Sequence, residues 1–253
     1  MLSLDPRYYQ IFALSSILVF GLLKNRLDTN LYNISFILIS IIAAQFTATK
    51  IWKLPKFDPK SALISGLSIC ILFRSTSILV ILFVVLVTIF SKFIFTKDKN
   101  HIFNPTNFGI AAGLLLFENS WISPGQWGSE IFFMLAIFLV GSFVVIKALR
   151  HDITLYFIAI FSFMLFKRAF QLGDPIEIPI HQLTAGSLII FAFFMISDPK
   201  TTPHTSIGRF IMAYSVAYLA YYFRFSLYDP NGIIYSLVIV SAFVPLIKYY
   251  EIN

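Results

Sequence analysis

Charged residues are scarce in this sequence. Of its 253 residues 12% are charged and 58% hydrophobic, whereas a water-soluble domain carries about 25% charged residues. The shortage argues against an aqueous fold and for lipid as the solvent, in line with a mean hydropathy of +0.83. Cysteine is nearly absent. Cys70 alone, inside an apolar run, cannot build a disulfide, a Cys-x-x-Cys redox pair or an iron–sulfur site from this chain. Histidine is rare too: His101, His151 and His204 lie between apolar runs without ligand-like spacing, so no metal and no haem are expected. No Ser-His-Asp, zinc-protease or phosphate-loop pattern occurs, which argues against hydrolytic catalysis.

What is present is apolar and basic. The net charge of +7 would suggest a nucleic-acid partner in a soluble protein. Here the basic residues sit in short links between apolar runs, where membrane orientation accounts for them and no nucleic-acid partner is expected. The 29 Phe and 12 Tyr suit a lipid-facing surface with interfacial aromatics. The stretch before Lys24-Asn25-Arg26 has no small-residue cleavage site, so a retained first helix is expected rather than a signal peptide.

Apolar runs fall at 8–23, 31–48, 62–73, 77–95, 108–117, 131–149, 153–166, 183–197, 210–225 and 232–247. They lack the alternation of barrel strands, and backbone polar groups must be paired in hydrocarbon, so helices are the expected spanning form. The expected fold is an all-α polytopic membrane protein of one membrane domain. It has about ten transmembrane helices in two inverted five-helix repeats, near 1–125 and 126–253.

Two runs are short. Residues 62–73 and 108–117 number 12 and 10, roughly 18 and 15 Å as helix. They follow Phe57-Asp58-Pro59-Lys60-Ser61 and Phe103-Asn104-Pro105-Thr106-Asn107, which predicts half-helices opened by a cap and a proline. The second half echoes the plan at Asp174-Pro175 and at Asp229-Pro230-Asn231-Gly232. Paired interrupted helices in inverted repeats characterise secondary transporters and their relatives. If all ten runs cross, 13 of the 19 Lys and Arg fall on the side of the N-terminus and 6 on the other. Both termini are then expected in the cytoplasm.

Two polar runs stand out. In His101-Ile102-Phe103-Asn104-Pro105-Thr106-Asn107-Phe108-Gly109-Ile110, Asn104 can cap a helix and Pro105 can take its first position. Thr106 and Asn107 then present polar groups beside helix-end N–H donors, a place for an anion or a carbonyl oxygen, or simply an ordinary capped start. The run Asp198-Pro199-Lys200-Thr201-Thr202-Pro203-His204-Thr205-Ser206-Ile207-Gly208-Arg209 offers hydroxyls and two cations to a phosphate-bearing group, or reads as a solvated positive-inside link. Arg74 and Glu130, at the ends of apolar runs, are candidates for an ion or substrate path or for snorkelling side chains.

On Asn104-Pro105-Thr106 with Gly109, and Asp198-Pro199-Lys200-Thr201 with Gly208-Arg209, the chain resembles a known family. Its members are the B subunit of the sodium-pumping NADH:quinone oxidoreductase and the D subunit of the Rnf electron-transport complex. The resemblance extends over nearly the whole chain, to Val244-Pro245-Leu246-Ile247. It is nearest to short stand-alone members, some of which carry an enediyne-biosynthesis label. The resemblance implies ten helices, flavin binding and membership of an electron-transfer assembly coupled to cation movement in the bacterial plasma membrane. Larger members carry flavin mononucleotide on a threonine of a Ser/Thr-Gly-Ala-Thr-like motif. Leu183-Thr184-Ala185-Gly186-Ser187 has that composition in another order. The expectation is therefore a non-covalent flavin (FMN or riboflavin) or a quinone, held by Asn104, Thr106, Asn107, Asp198, Thr201, Thr202 and Thr205. Other redox subunits or a flavoprotein would be partners. The competing expectations are a channel or transporter for a small polar solute or cation, with a urea-transporter-like fold, and a scaffold that anchors a redox partner.

Overall fold

Apolar surroundings leave backbone amides only one another to bond, and the chain answers with helices. The computed structural model describes residues 5–24, 27–97, 100–123 and 131–252. The chain divides into two compact units, Met1–Gly125 and Gln126–Asn253.

The first unit holds α1 (Pro6–Leu23), α2 (Leu31–Ile51), α3 (Pro59–Leu72), α4 (Ile78–Ile94) and α5 (Pro105–Leu116). Short strands β1 (Phe73–Ser75), β2 (Thr96–Lys97), β3 (Asn100–His101) and β4 (Ser120–Ile122) lie between or after them. Cross-links fix the direction of each helix. Arg7 bonds Asp58, and Lys60 Nζ donates to Asp5 at 3.1 Å, joining the starts of α1 and α3. Lys92 Nζ donates to Ser61 Oγ at 3.2 Å, joining the end of α4 to the start of α3. Trp52 stacks on Phe93 at 5.1 Å, which brings the end of α2 to the same place. The β2–β3 hairpin then delivers the chain to the start of α5. The five helices therefore alternate in direction.

The two short runs become α3 and α5, of 14 and 12 residues, or roughly 21 and 18 Å. Each is longer at its start than the hydrophobic run alone, because the capping turn joins the helix. Beyond their ends the chain continues as β1 and β4, which pair antiparallel with Phe73 opposite Ile122 and Arg74 opposite Trp121. Backbone groups that leave the helix thus find partners in a ladder. These strands qualify the all-α expectation. Three residues are too few for a periodic pattern to announce.

The second unit holds α6 (Ile131–Lys147), α7 (His151–Leu172), α8 (Glu177–Leu183), α9 (Gly186–Ile190), a π-helical segment (Phe191–Met195), α10 (Ser206–Phe225) and α11 (Gly232–Ile252). Run 183–197 becomes α9 and its π-helical continuation, preceded by α8, which carries Pro179 and is bent from them by 49°. Arg209 Nε on Asp152 Oδ2 at 2.7 Å joins the starts of α10 and α7. Thr205 Oγ1 on Glu251 Oε1 at 2.6 Å joins the start of α10 to the end of α11. Here too the passes alternate, with the α8-to-π stretch as one pass.

Helices α1, α2, α7 and α11 are each long and apolar enough to cross a bilayer, and the bent α8–α9 pair makes a fifth candidate. Their outer faces carry bare apolar side chains, such as Phe12, Ile39, Phe163 and Phe243. This is a multi-pass membrane protein.

Candidate functional site

The end of the first unit where α3 and α5 begin is polar inside. Asn104 caps α5 as expected: its Oδ1 accepts from the Asn107 N–H at 3.0 Å, and Pro105 takes the first turn. With no N–H on Pro105 and that of Asn107 used by the cap, Thr106 supplies the one first-turn donor the cap does not use. So depleted an end suits a carbonyl-bearing ligand better than a multiply charged anion. Asn104, Thr106 and Asn107 are all buried.

Residues that the sequence reading passed over complete this end. Thr88 on α4 faces α5 so closely that a Cβ at Gly109 would lie 2.0 Å from its Oγ1. Lys92, one turn further along the same face, is 8% exposed and donates to Ser61. Gln45 and Thr49 line the inner side of α2, whose last turns reach this end, with Phe46 packed edge-on against Phe57 at 6.0 Å. The oxygens Gln45 Oε1 and Thr88 Oγ1 are buried and have no hydrogen-bond partner. An orphaned buried acceptor costs about 1–3 kcal/mol, so such atoms mark a place where water or a ligand belongs. The available signal was a polar residue inside an apolar run, Gln45 within 31–48 and Lys92 within 77–95.

The Asp198 run, in the second unit, has its polar groups bonded within the run and to its neighbours Arg150, Asp152 and Glu251. Asp198 Oδ1 accepts from the Lys200 N–H at 3.0 Å, and its carbonyl accepts from the N–H groups of Thr201 and Thr202. Thr202 Oγ1 accepts from Arg150 Nε at 2.9 Å. Thr205 caps α10 by accepting from the Gly208 N–H at 3.0 Å, and Glu251 receives the His204 N–H, the Thr205 N–H and the Thr205 hydroxyl. Burial, reinforced by the like charge of Arg209, lowers the Arg150 pKa. The run is a knotted connector in which Thr201 and Thr202 are fully buried. Its bonds are those of a structural link, and its cationic surface remains.

Arg74 lies at the opposite end of α3 from Ser61, about 20 Å away along the helix. Its guanidinium donates to the carbonyls of Cys70, Phe73 and Ile71 at 2.9, 2.7 and 3.2 Å. It therefore caps the exhausted C-terminus of the half-helix, where a cation is favoured, and the structure does not bring it to the Asn104 end. Glu130 lies outside the described residues. His151, expected in a link, is the first residue of α7. Among the described residues no group of three or more His, Cys, Asp or Glu could hold a metal.

The profile of the NQR2, RnfD, RnfE family matches residues 119–253. That stretch contains the Asp198 connector, while the Asn104 run precedes it, so the matched region is shorter than the near-complete resemblance expected. The D subunit of an ion-translocating oxidoreductase complex from Psychromonas ingrahamii is 29% identical over 140 residues, which make up 53% of this chain and 39% of that protein. Its counterpart in Erwinia tasmaniensis is 27% identical over 146 residues, 58% of this chain and 38% of the relative. The D subunit of a proton-translocating ferredoxin:NAD(+) oxidoreductase complex from Clostridium ljungdahlii is 38% identical over 78 residues, 31% of this chain and 22% of the relative. The chain thus matches 39% or less of the length of each of these relatives.

Proposed function

The chain belongs to the NQR2, RnfD, RnfE family, and we propose that it is a membrane subunit of an ion-coupled electron-transport assembly that binds a flavin or a quinone non-covalently. The observation that carries this reading is the polar end of the first unit, buried among apolar helices and left with the unpartnered oxygens of Gln45 and Thr88. A flavin or quinone ring presents carbonyl oxygens, and a flavin ring also an N–H. Thr106, Asn107 and Lys92 supply donors for the carbonyls, and Gln45 and Thr88 supply acceptors for the N–H. The bound group would bring electron transfer; the chain's residues bind it, orient it and exclude water. FMN or riboflavin fits this donor and acceptor set better than a quinone, which has no N–H to offer those two oxygens. The lack of a Ser/Thr-Gly-Ala-Thr sequence favours non-covalent binding.

In this reading all ten passes cross the plasma membrane of a bacterium, in two inverted halves with both termini in the cytoplasm. The alternation of directions inside each unit and the 13 to 6 division of basic residues support it. Other redox subunits or a flavoprotein supply and remove electrons, and Asp198 to Arg209 offers them a cationic connector on the cytoplasmic side.

Purified protein tests the reading directly. A flavin absorbance spectrum released by denaturation, with unchanged intact mass, is the expected result. A colourless preparation that keeps its fold and takes up neither riboflavin, FMN nor a quinone would overturn it. One observation favours a second reading, transport of a small polar solute or cation: Ser61, Ser65 and Ser68 follow one another along α3, and Ser65 and Ser68 are buried. Solute flux into proteoliposomes without any redox donor would select it.

A further inference from the structure

The second unit contains a cavity of about 300 Å³ that neither the polar end of the first unit nor the Asp198 connector uses. Four aromatic rings wall it: Phe138 of α6, Phe157 and Phe161 of α7, and Phe193 of the π-helical segment. Its polar edge is slight. Thr184 Oγ1 is already donating to the His181 carbonyl at 3.1 Å, which leaves the hydroxyl of Ser162.

The cavity is built by the break in the helix. The 49° bend after α8 swings α9 away from α8's axis, and the π turn widens the backbone opposite α7. Thr154 Oγ1 of α7 holds that turn by donating to the Ala192 carbonyl at 2.8 Å. Phe157, Phe161 and Ser162 lie in the middle of α7, a helix of 22 residues long enough to span the bilayer. The cavity therefore sits at the depth of the hydrocarbon core.

Water does not fill such a space, because it needs two to four polar partners. A void of this size forfeits the dispersion contacts of every ring that lines it. The solvent at this depth is hydrocarbon. We infer that the cavity binds one acyl chain of a membrane phospholipid, which wedges between α6, α7 and the broken helix. At the roughly 30 Å³ that a small group occupies in a liquid, the space holds on the order of ten chain carbons. A ring bearing carbonyls is the poorer occupant, since the walls have a single uncommitted hydroxyl to offer it, whereas a hydrocarbon chain needs none.

The experiment uses the full chain in nanodiscs of phosphatidylcholine that carries a photoactivatable diazirine midway along one acyl chain. After irradiation, adducts are mapped by mass spectrometry. The expected result is labelling of the peptides that hold Phe157 to Ser162 and Leu188 to Phe193. A Ser162→Trp variant, whose indole fills the space, lowers that labelling about tenfold and leaves the lipid-facing Leu155 and Phe163 labelled as before. Labelling confined to exposed positions such as Leu155, Phe163 and Phe170 would overturn the inference, as would cavity labelling that Ser162→Trp does not change. Displacement of the acyl label by an equimolar short-chain quinone would also overturn it, in favour of a ring ligand. If Ser162→Trp does not fold, the wild-type map and the quinone competition decide.

Discussion

Lys92 on α4 reaches Ser61 on α3 at 3.2 Å, so an ammonium stands where one helix ends and another begins. The C-terminal carbonyls of α4 favour it there. For the proposed ligand site its charge matters more than its bond to Ser61. Ser61→Ala should lower stability by about 1 kcal/mol, the usual worth of one hydrogen bond, and leave flavin uptake unchanged. Lys92→Met should reduce flavin uptake sharply while the far-ultraviolet circular dichroism stays native. Thermal unfolding and flavin titration on the two variants check both; equal flavin affinity in Lys92→Met and wild type would remove Lys92 from the site.

Gly109 is needed because α5 crosses α4 in near backbone contact. A methyl group there would meet Thr88 Oγ1 at 2.0 Å and the Val84 carbonyl at 2.9 Å. Gly109→Ala should destabilise the first unit by about 1–3 kcal/mol, the range for overpacking. Thr88→Ala removes the nearer obstacle but not the carbonyl. The double variant should thus recover part of the loss, and full recovery or none would contradict this geometry. Thermal midpoints of the three proteins in one detergent measure it.

How much of this was legible follows from how local each feature is. The Asn104 cap reads directly because its bond runs three residues along the chain, and Pro105 can hardly sit elsewhere in a helix. The half-helices read from length alone. Gln45 and Lys92 were visible as polar residues in apolar runs, but that both belong to one end of the unit follows from α2 and α4 running in the same direction, which no local pattern states. The π turn was hidden inside the unbroken apolar stretch 188–196, where a change of hydrogen-bond register leaves no trace in composition. Arg74 was legible as a costly charge, yet its use as a helix cap depends on where the helix stops.

Gly208 and Glu251 share one small space. A Cβ on Gly208 would lie 2.0 Å from Glu251 Oε1, the oxygen that receives the N–H and hydroxyl of Thr205. Gly208→Ala should push the carboxylate off these donors, so its cost should resemble that of Glu251→Ala, about 1–2 kcal/mol each for the lost cap. Because both remove the same contact, the double variant should cost less than the sum of the two, the methyl's 2.8 Å approach to Pro203 Cβ being what Glu251→Ala leaves in place. A double-variant cycle by thermal unfolding gives the coupling, and strict additivity would refute it.

Asp5 provides a pH dependence of known sign. It caps α1, accepts from the backbone and guanidinium of Arg7 and takes a bond from Lys60 Nζ at 3.1 Å. The Arg7 guanidinium holds its carboxyl well below the usual carboxylate range. A carboxylate whose pKa falls on folding contributes stability that is fully present above its unfolded value, about 3.9, and is lost as pH drops toward the folded one. Wild type should therefore lose part of its thermal midpoint as pH is lowered from about 5 to about 2. Asp5→Asn should start lower at neutral pH and fall less over the same interval, because it has no such proton to take up. Midpoints of the two proteins measured across that interval should converge in acid, and parallel curves would show that this carboxylate does not link folding to pH.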